Sequence, residues 1–132
     1  MNLKEFVIKT LGNKVDFDGY YGASCVDLFR QYNKDVFNSP RTESVDGAKD
    51  LFLNYENMPL EKQYYDKITS NFEIGDVIIW DKTNTNKYGH VAIILYVRDN
   101  DVIVLEQDMY TQKGTEIKVR SLNNVLGVLR HK

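Results

Sequence analysis

Sulfur and imidazole are scarce in this chain of 132 residues: it has one cysteine, Cys25, and two histidines, His90 and His131. A single cysteine excludes an internal disulfide and leaves a free thiol, which is either a small buried hydrophobe or a reactive group. Proline is limited to two residues, and no repeat, low-complexity tract or linker breaks the sequence. Apolar runs stop at strand length, so no membrane-spanning helix is expected. The start, "MNLKEFVIKTLGN", mixes lysine and glutamate into its apolar residues and does not read as a secretory signal. An excess of charge is also lacking. The net charge is −2, and no basic stripe is present to neutralise the phosphates of a nucleic acid. What remains is one ordinary globular domain over residues 1–132, large enough for a single core.

The front half has helical periodicity. Leu3, Phe6, Val7 and Leu11 share one face, and Gly12-Asn13 is a stop signal. A second helix is predicted from about Cys25, with Leu28, Phe29, Tyr32 and Val36 in phase and Ser24 as its N-cap. A third is predicted within residues 44–55, capped by Ser44 or Asp46, and a short helical turn opens at Pro59 in "MPLEKQYYDK". The back half reads as strands: "DVIIW", "HVAIILYV", "DVIVLEQ", "TEIKVRS" and "VLGVLR". "RDND" (98–101) suits a hairpin turn, and "HVAIILYV", apolar on both faces, should be central. Helices followed by an antiparallel sheet predict an α+β fold.

The candidate chemistry starts at Cys25. A free thiol, with a pKa of about 8.5, is mostly protonated at neutral pH. A helix N-terminus favours the anion, and a histidine takes the proton. Cys25 is placed at a predicted helix start, whose N–H groups also suit a developing oxyanion. His90 opens the predicted central strand after the polar loop "DKTNTNKYG", whereas His131 lies in a tail expected to fray. The imidazole then needs an orienting carboxylate or amide. "DVIVLEQD" supplies Glu106, Gln107 and Asp108, with Glu106 and Asp108 on one face and Gln107 on the other. Trp80 and the tyrosines Tyr20 and Tyr21 are candidates to line a groove, and Trp80 is equally suited to the core.

Taken in order, "DFDGYYGAS" before the cysteine, "IGDVIIW", "YGHVAIIL" and "VIVLEQD" resemble the cysteine, histidine-dependent amidohydrolase/peptidase (CHAP) domain of phage endolysins and related wall hydrolases. The similarity runs from about residue 14 to residue 130. It implies a papain-like α+β fold and cleavage of peptidoglycan, at the muramic acid–L-alanine amide or within stem and cross-bridge peptides. By motif, Cys25 matches the nucleophile, His90 the general base and Glu106 the orienting carboxylate, with Asp108 as a fourth catalytic candidate. Two positions depart from the common pattern: Ser24 replaces the usual glutamine before the cysteine, and Asp108 replaces an asparagine.

Asp16, Asp18 and Asp27 are hard oxygen ligands of the kind calcium prefers, and equally they suit turns and a helix's first residues. The resemblance adds a calcium site there, completed by the backbone carbonyls of Tyr20 and Gly22. It further implies a monomer acting on peptidoglycan, made in the host cytoplasm without a signal peptide. Access to the wall would come through holin-type release or as a virion component. Rival readings are a non-catalytic wall- or calcium-binding module of the same fold, and a papain-like protease or deamidase acting on protein.

Overall fold

The computed structural model describes residues 1–19 and 22–132; Tyr20 and Tyr21, and the calls made on them, lie outside the described residues. Helices α1 (Leu3–Thr10), α2 (Cys25–Phe37), α3 (Asp50–Leu53) and α4 (Pro59–Tyr64) come first, with a 3₁₀ turn at Tyr55–Asn57. Strands follow: β1 (Tyr65–Ile68), β2 (Val77–Trp80), β3 (His90–Val97), β4 (Asp101–Glu106), β5 (Glu116–Ser121) and β6 (Val125–His131). They form one antiparallel sheet in the order β1-β6-β2-β3-β4-β5. The α+β expectation and the central place of "HVAIILYV" both hold.

Alternation divides the sheet into two apolar faces. Val77, Ile79, Val91, Ile93, Leu105 and Leu129 join Phe6, Leu28, Phe29, Tyr32 and Leu51 in the core under the helices. Ile78, Trp80, Ala92, Ile94, Val102, Val104 and Val128 form a second cluster on the other face. Each such side chain, fully buried, contributes about 1.5–3 kcal/mol, so strands β2 and β3 are anchored from both sides. Trp80 belongs to this second cluster, 7% exposed with Nε1 donating to Ser121 O at 3.1 Å, and not to a groove.

Two sequence expectations need correction. The third helix is one turn, Asp50–Leu53, without a side-chain cap from Ser44 or Asp46. Residues 44–49 instead run against the loop before β3: Lys49 N donates to Tyr88 O at 3.0 Å, and a Cβ on Gly47 would lie 2.8 Å from that same oxygen. The helical turn at Pro59 holds as α4, and Tyr65–Ile68 beyond it pairs with β6 as an edge strand that the sequence did not show. His131 does not fray: it pairs with Tyr65 in β6 and stacks on Phe37 at 4.0 Å, with Nε2 2.7 Å from Ser39 Oγ.

Gly89 is where the fold leaves no room beside the site. Its φ of 74° is in the left-handed region, and a Cβ there would strike Trp80 O and come within 2.9 Å of Lys49 Cβ. Left-handed backbone alone costs a non-glycine residue about 1–2 kcal/mol. Gly89→Ala is therefore expected to destabilise by at least about 2 kcal/mol, against about 0.5 for an ordinary surface change, as read by denaturant melts.

Candidate active site

Cys25 is the first residue of α2 because Ser24 caps that helix. Ser24 Oγ accepts from Asp27 N at 3.2 Å, and Asp27 Oδ2 accepts from Ser24 N at 3.2 Å, a reciprocal capping box. Ser24 is thus occupied in holding the helix start, and its hydroxyl is no substitute for the amide that the usual glutamine would bring. The first helical turn leaves N–H groups that no intrahelical carbonyl takes, and they favour negative charge beside the thiol.

His90 opens β3, Glu106 closes β4 and Trp80 closes β2, so antiparallel pairing brings all three to one end of the sheet. His90 faces Trp80 in register, with ring centroids 5.7 Å apart. Its Nε2 lies 3.4 Å from Glu106 Oε1, an ion-pair contact without hydrogen-bond geometry. Burial alone would lower the His90 pKa, but pairing with Cys25 and Glu106 outweighs it and raises the value to about 9.

Glu106 is 1% exposed, and its charge survives because a cation meets it. Arg120, on β5, donates from Nε to Oε1 and from Nη2 to Oε2, the latter at 2.6 Å. Burial would push the carboxyl up; Arg120 and His90 hold it down, at about 2. Sequence reading missed Arg120. The available signal was a carboxylate ending an apolar strand, which demands a partner, beside the polar alternation Glu116, Lys118, Arg120 in the next strand.

Cys25 and His90 line one open cleft of about 580 Å³. Its walls are the start of α2, the 44–48 segment, the loop before His90, and residues 108–110. Asp108 is on that last wall, and its Oδ1 accepts from Tyr110 N at 2.8 Å, shaping the loop. Asp18 and Asp27 also line the cleft. Asp16, Asp18 and Asp27 present carboxylate oxygens within 4.8 Å of one another, Asp27 buried and the other two exposed. Burial, then the charges of Asp18 and Asp16, raise Asp27 to about 6 against the hydrogen bonds from Ser24. Three hard anionic donors converging this closely fit a divalent cation of the calcium type. Gly22 follows in the same loop with φ 75°, and Tyr20 lies outside the described residues.

The model of the CHAP domain family matches residues 15–108, which hold the thiol, the imidazole and the carboxylate. The chain belongs to the CHAP domain family. The endolysin PlyTW of Staphylococcus phage Twort is 30% identical over 117 residues, covering 80% of this chain and 23% of that protein. Among solved structures, the wild-type endolysin LysIME-EF1 superposes with a TM-score of 0.68 at 20% identity, over 98% of this chain and 64% of that one. Ly7917 does so at 0.70 and 18%, over 96% and 60%. These two likenesses show the fold. This CHAP domain therefore spans about a quarter of the length of its phage relative and under two thirds of either structural neighbour.

The site yields a pH prediction. A histidine raised in the folded state contributes stability in full below its unfolded pKa of about 6.5, lost as pH climbs through about 9. Arg120→Leu removes a cation that shares Glu106 Oε1 with His90, so the pair holds its proton to higher pH. The alkaline fall in melting temperature is expected to start near pH 6.5 in both chains and to run to higher pH in Arg120→Leu than in the parent chain. Identical pH–melting profiles for the two would remove Arg120 from the His90 network.

Proposed function

We propose that this domain is a peptidoglycan hydrolase in which Cys25 is the nucleophile, His90 the proton carrier and Glu106 its orienter. The observation that carries the reading is the ion-paired His90, buried against Glu106 beside Cys25 on an open cleft. Membership of the CHAP family and the name endolysin borne by its relatives point to the bacterial wall as substrate.

The steps follow from the residues. Cys25 Sγ attacks a peptide or amide carbonyl carbon, forming a C–S bond while the carbonyl oxygen takes up negative charge. The first N–H groups of α2 stabilise that oxyanion. His90, as imidazolium, gives its proton to the departing amine, and the C–N bond breaks to leave an acyl-enzyme. A water then loses its proton to His90 and releases the acid and the thiolate. Glu106 keeps the ring charged and in place, and Arg120 keeps Glu106 ionised. Asp108 shapes the wall beside the scissile bond. The bond cut is the muramic acid–L-alanine amide or one in the stem or cross-bridge peptide, and mass spectrometry of the released fragments tells these apart.

Calcium belongs to the same proposal. Asp16, Asp18 and Asp27 would hold it, with the carbonyls of Gly22 and Tyr20. When bound, it supplies the positive charge that lets three carboxylates meet at the start of the nucleophile's helix. The intact Cys25, His90 and Glu106 set weighs against a purely binding module of the same fold.

Cys25→Ser is expected to abolish the clearing of purified cell walls, by at least about a thousandfold, with an unchanged circular dichroism spectrum. Near-full lysis by that variant would end the catalytic reading.

Chelation tests the metal separately. A cation that binds only the folded loop stabilises by about 2.7 kcal/mol at a hundredfold excess over its dissociation constant. Melting temperature and lysis rate are expected to fall together in chelator and to return with calcium, and much less with magnesium. Asp16→Ala should show the chelated behaviour from the outset. Curves unmoved by chelator would leave the three aspartates as turn and cap residues.

A further inference from the structure

Among the buried polar side chains that the mechanism does not use, Gln107 lies beside the site. Gln107 is 1% exposed and makes four hydrogen bonds, none of them within its own strand. Its Nε2 donates to Val15 O at 2.6 Å and to Ser24 O at 2.7 Å. Its Oε1 accepts from Val15 N at 3.0 Å and from Thr115 Oγ1 at 3.3 Å. Ser24 O is also the acceptor for the first turn of α2, yet Leu28 N reaches it only at 3.4 Å. Ordinary N–H···O bonds lie near 2.9–3.0 Å, so the shorter hold on the helix's first carbonyl comes from Gln107.

Glu106 and Gln107 are consecutive, and strand alternation sends them to opposite faces. Glu106 turns toward His90 and Arg120; Gln107 turns toward the helix face and the residue before Cys25. One dipeptide thus grips the base on one side and the nucleophile's helix on the other. We propose that Gln107 is a positioning residue that sets the separation of Cys25 from His90 by fixing Ser24 O to the end of β4.

Gln112 assists from the same loop, donating to Ala23 O at 3.1 Å and accepting from Ala23 N at 3.3 Å. Of these two glutamines, Gln107 is the one that adjoins Glu106 at the end of β4 as well as reaching the helix start. A reacting pair displaced by about 1 Å loses on the order of a hundredfold in rate.

The inference rests on the hydrolase reading, so its test has a readout that does not need the wall. Cys25 is the only thiol, and its rate of alkylation by iodoacetamide at pH 7 reports its pairing with His90 directly. Gln107→Met keeps the length and removes all four bonds. Thr115→Val removes one bond to Gln107 and spares both of its donors. Both would be compared with the parent chain for wall lysis, alkylation and melting temperature, well below their melts.

Gln107→Met is expected to lower lysis about 10- to 100-fold and to slow alkylation toward the rate of an unfolded control. Thr115→Val is expected to lose some stability and little of either rate. If lysis and alkylation in folded Gln107→Met match the parent, or if both variants lose rate only in proportion to lost stability, the positioning role is overturned. Should Gln107→Met fail to fold, Gln107→Asn, one methylene too short to reach Ser24 O, takes its place with the same expected losses. Cys25→Ser runs alongside. If that variant lyses walls, the hydrolase reading falls, and the alkylation rates alone decide the role of Gln107.

Discussion

Everything at this site depends on keeping one carboxylate charged where water does not reach it. Glu106 is almost wholly buried at the end of β4, where an isolated anion would take up a proton. Arg120 prevents that with two charge-assisted hydrogen bonds, and a bidentate pair fixes direction as well as charge. Cys25 and the ionised Glu106 in turn hold His90 protonated against the desolvation of its own ring. A buried ion pair is weak evidence for stability, since apolar residues often pack as well. Here its value lies in the state it imposes on the histidine.

The sheet makes that arrangement possible by bringing strand ends together. Antiparallel order places the start of β3 beside the ends of β2 and β4, so one edge collects His90, Trp80 and Glu106. The two apolar faces hold these strands rigidly from both sides. The helix start is then brought to the edge by polar contacts, through the capping box of Ser24 and Asp27 and through Gln107. Asp27 links this cap to the acidic loop, because the same carboxylate that accepts from Ser24 N lies among the three clustered aspartates. A cation bound in the loop would therefore act on the first turn of the nucleophile's helix.

Local patterns carried much of this in the sequence. The β-branched, apolar runs between polar turns marked five strands, and Ser24 before Cys25 marked a capped helix start, because both depend on nearest neighbours. Non-local pairing was not legible. Tyr65–Ile68 has two exposed polar residues of four and forms a strand only because β6 offers it an edge. The period of Ala48, Leu51, Phe52 and Tyr55 suggested a helix capped at Ser44 or Asp46, but Gly47 lets residues 44–49 pack against Tyr88 instead, which shortens α3. Arg120 and Gln107 were missed for the same reason. Each acts on a residue that the fold, not the chain, puts beside it.

The central claim is that Glu106 and Cys25 together hold His90 as an imidazolium at neutral pH. With only two histidines, ¹⁵N-imidazole NMR resolves them, and His131, stacked on Phe37 away from the cleft, gives a second signal in the same spectrum. His90 is expected to stay protonated on both ring nitrogens through pH 7 and to titrate near 9. Titration of His90 near the unperturbed value of about 6.5 would contradict the account.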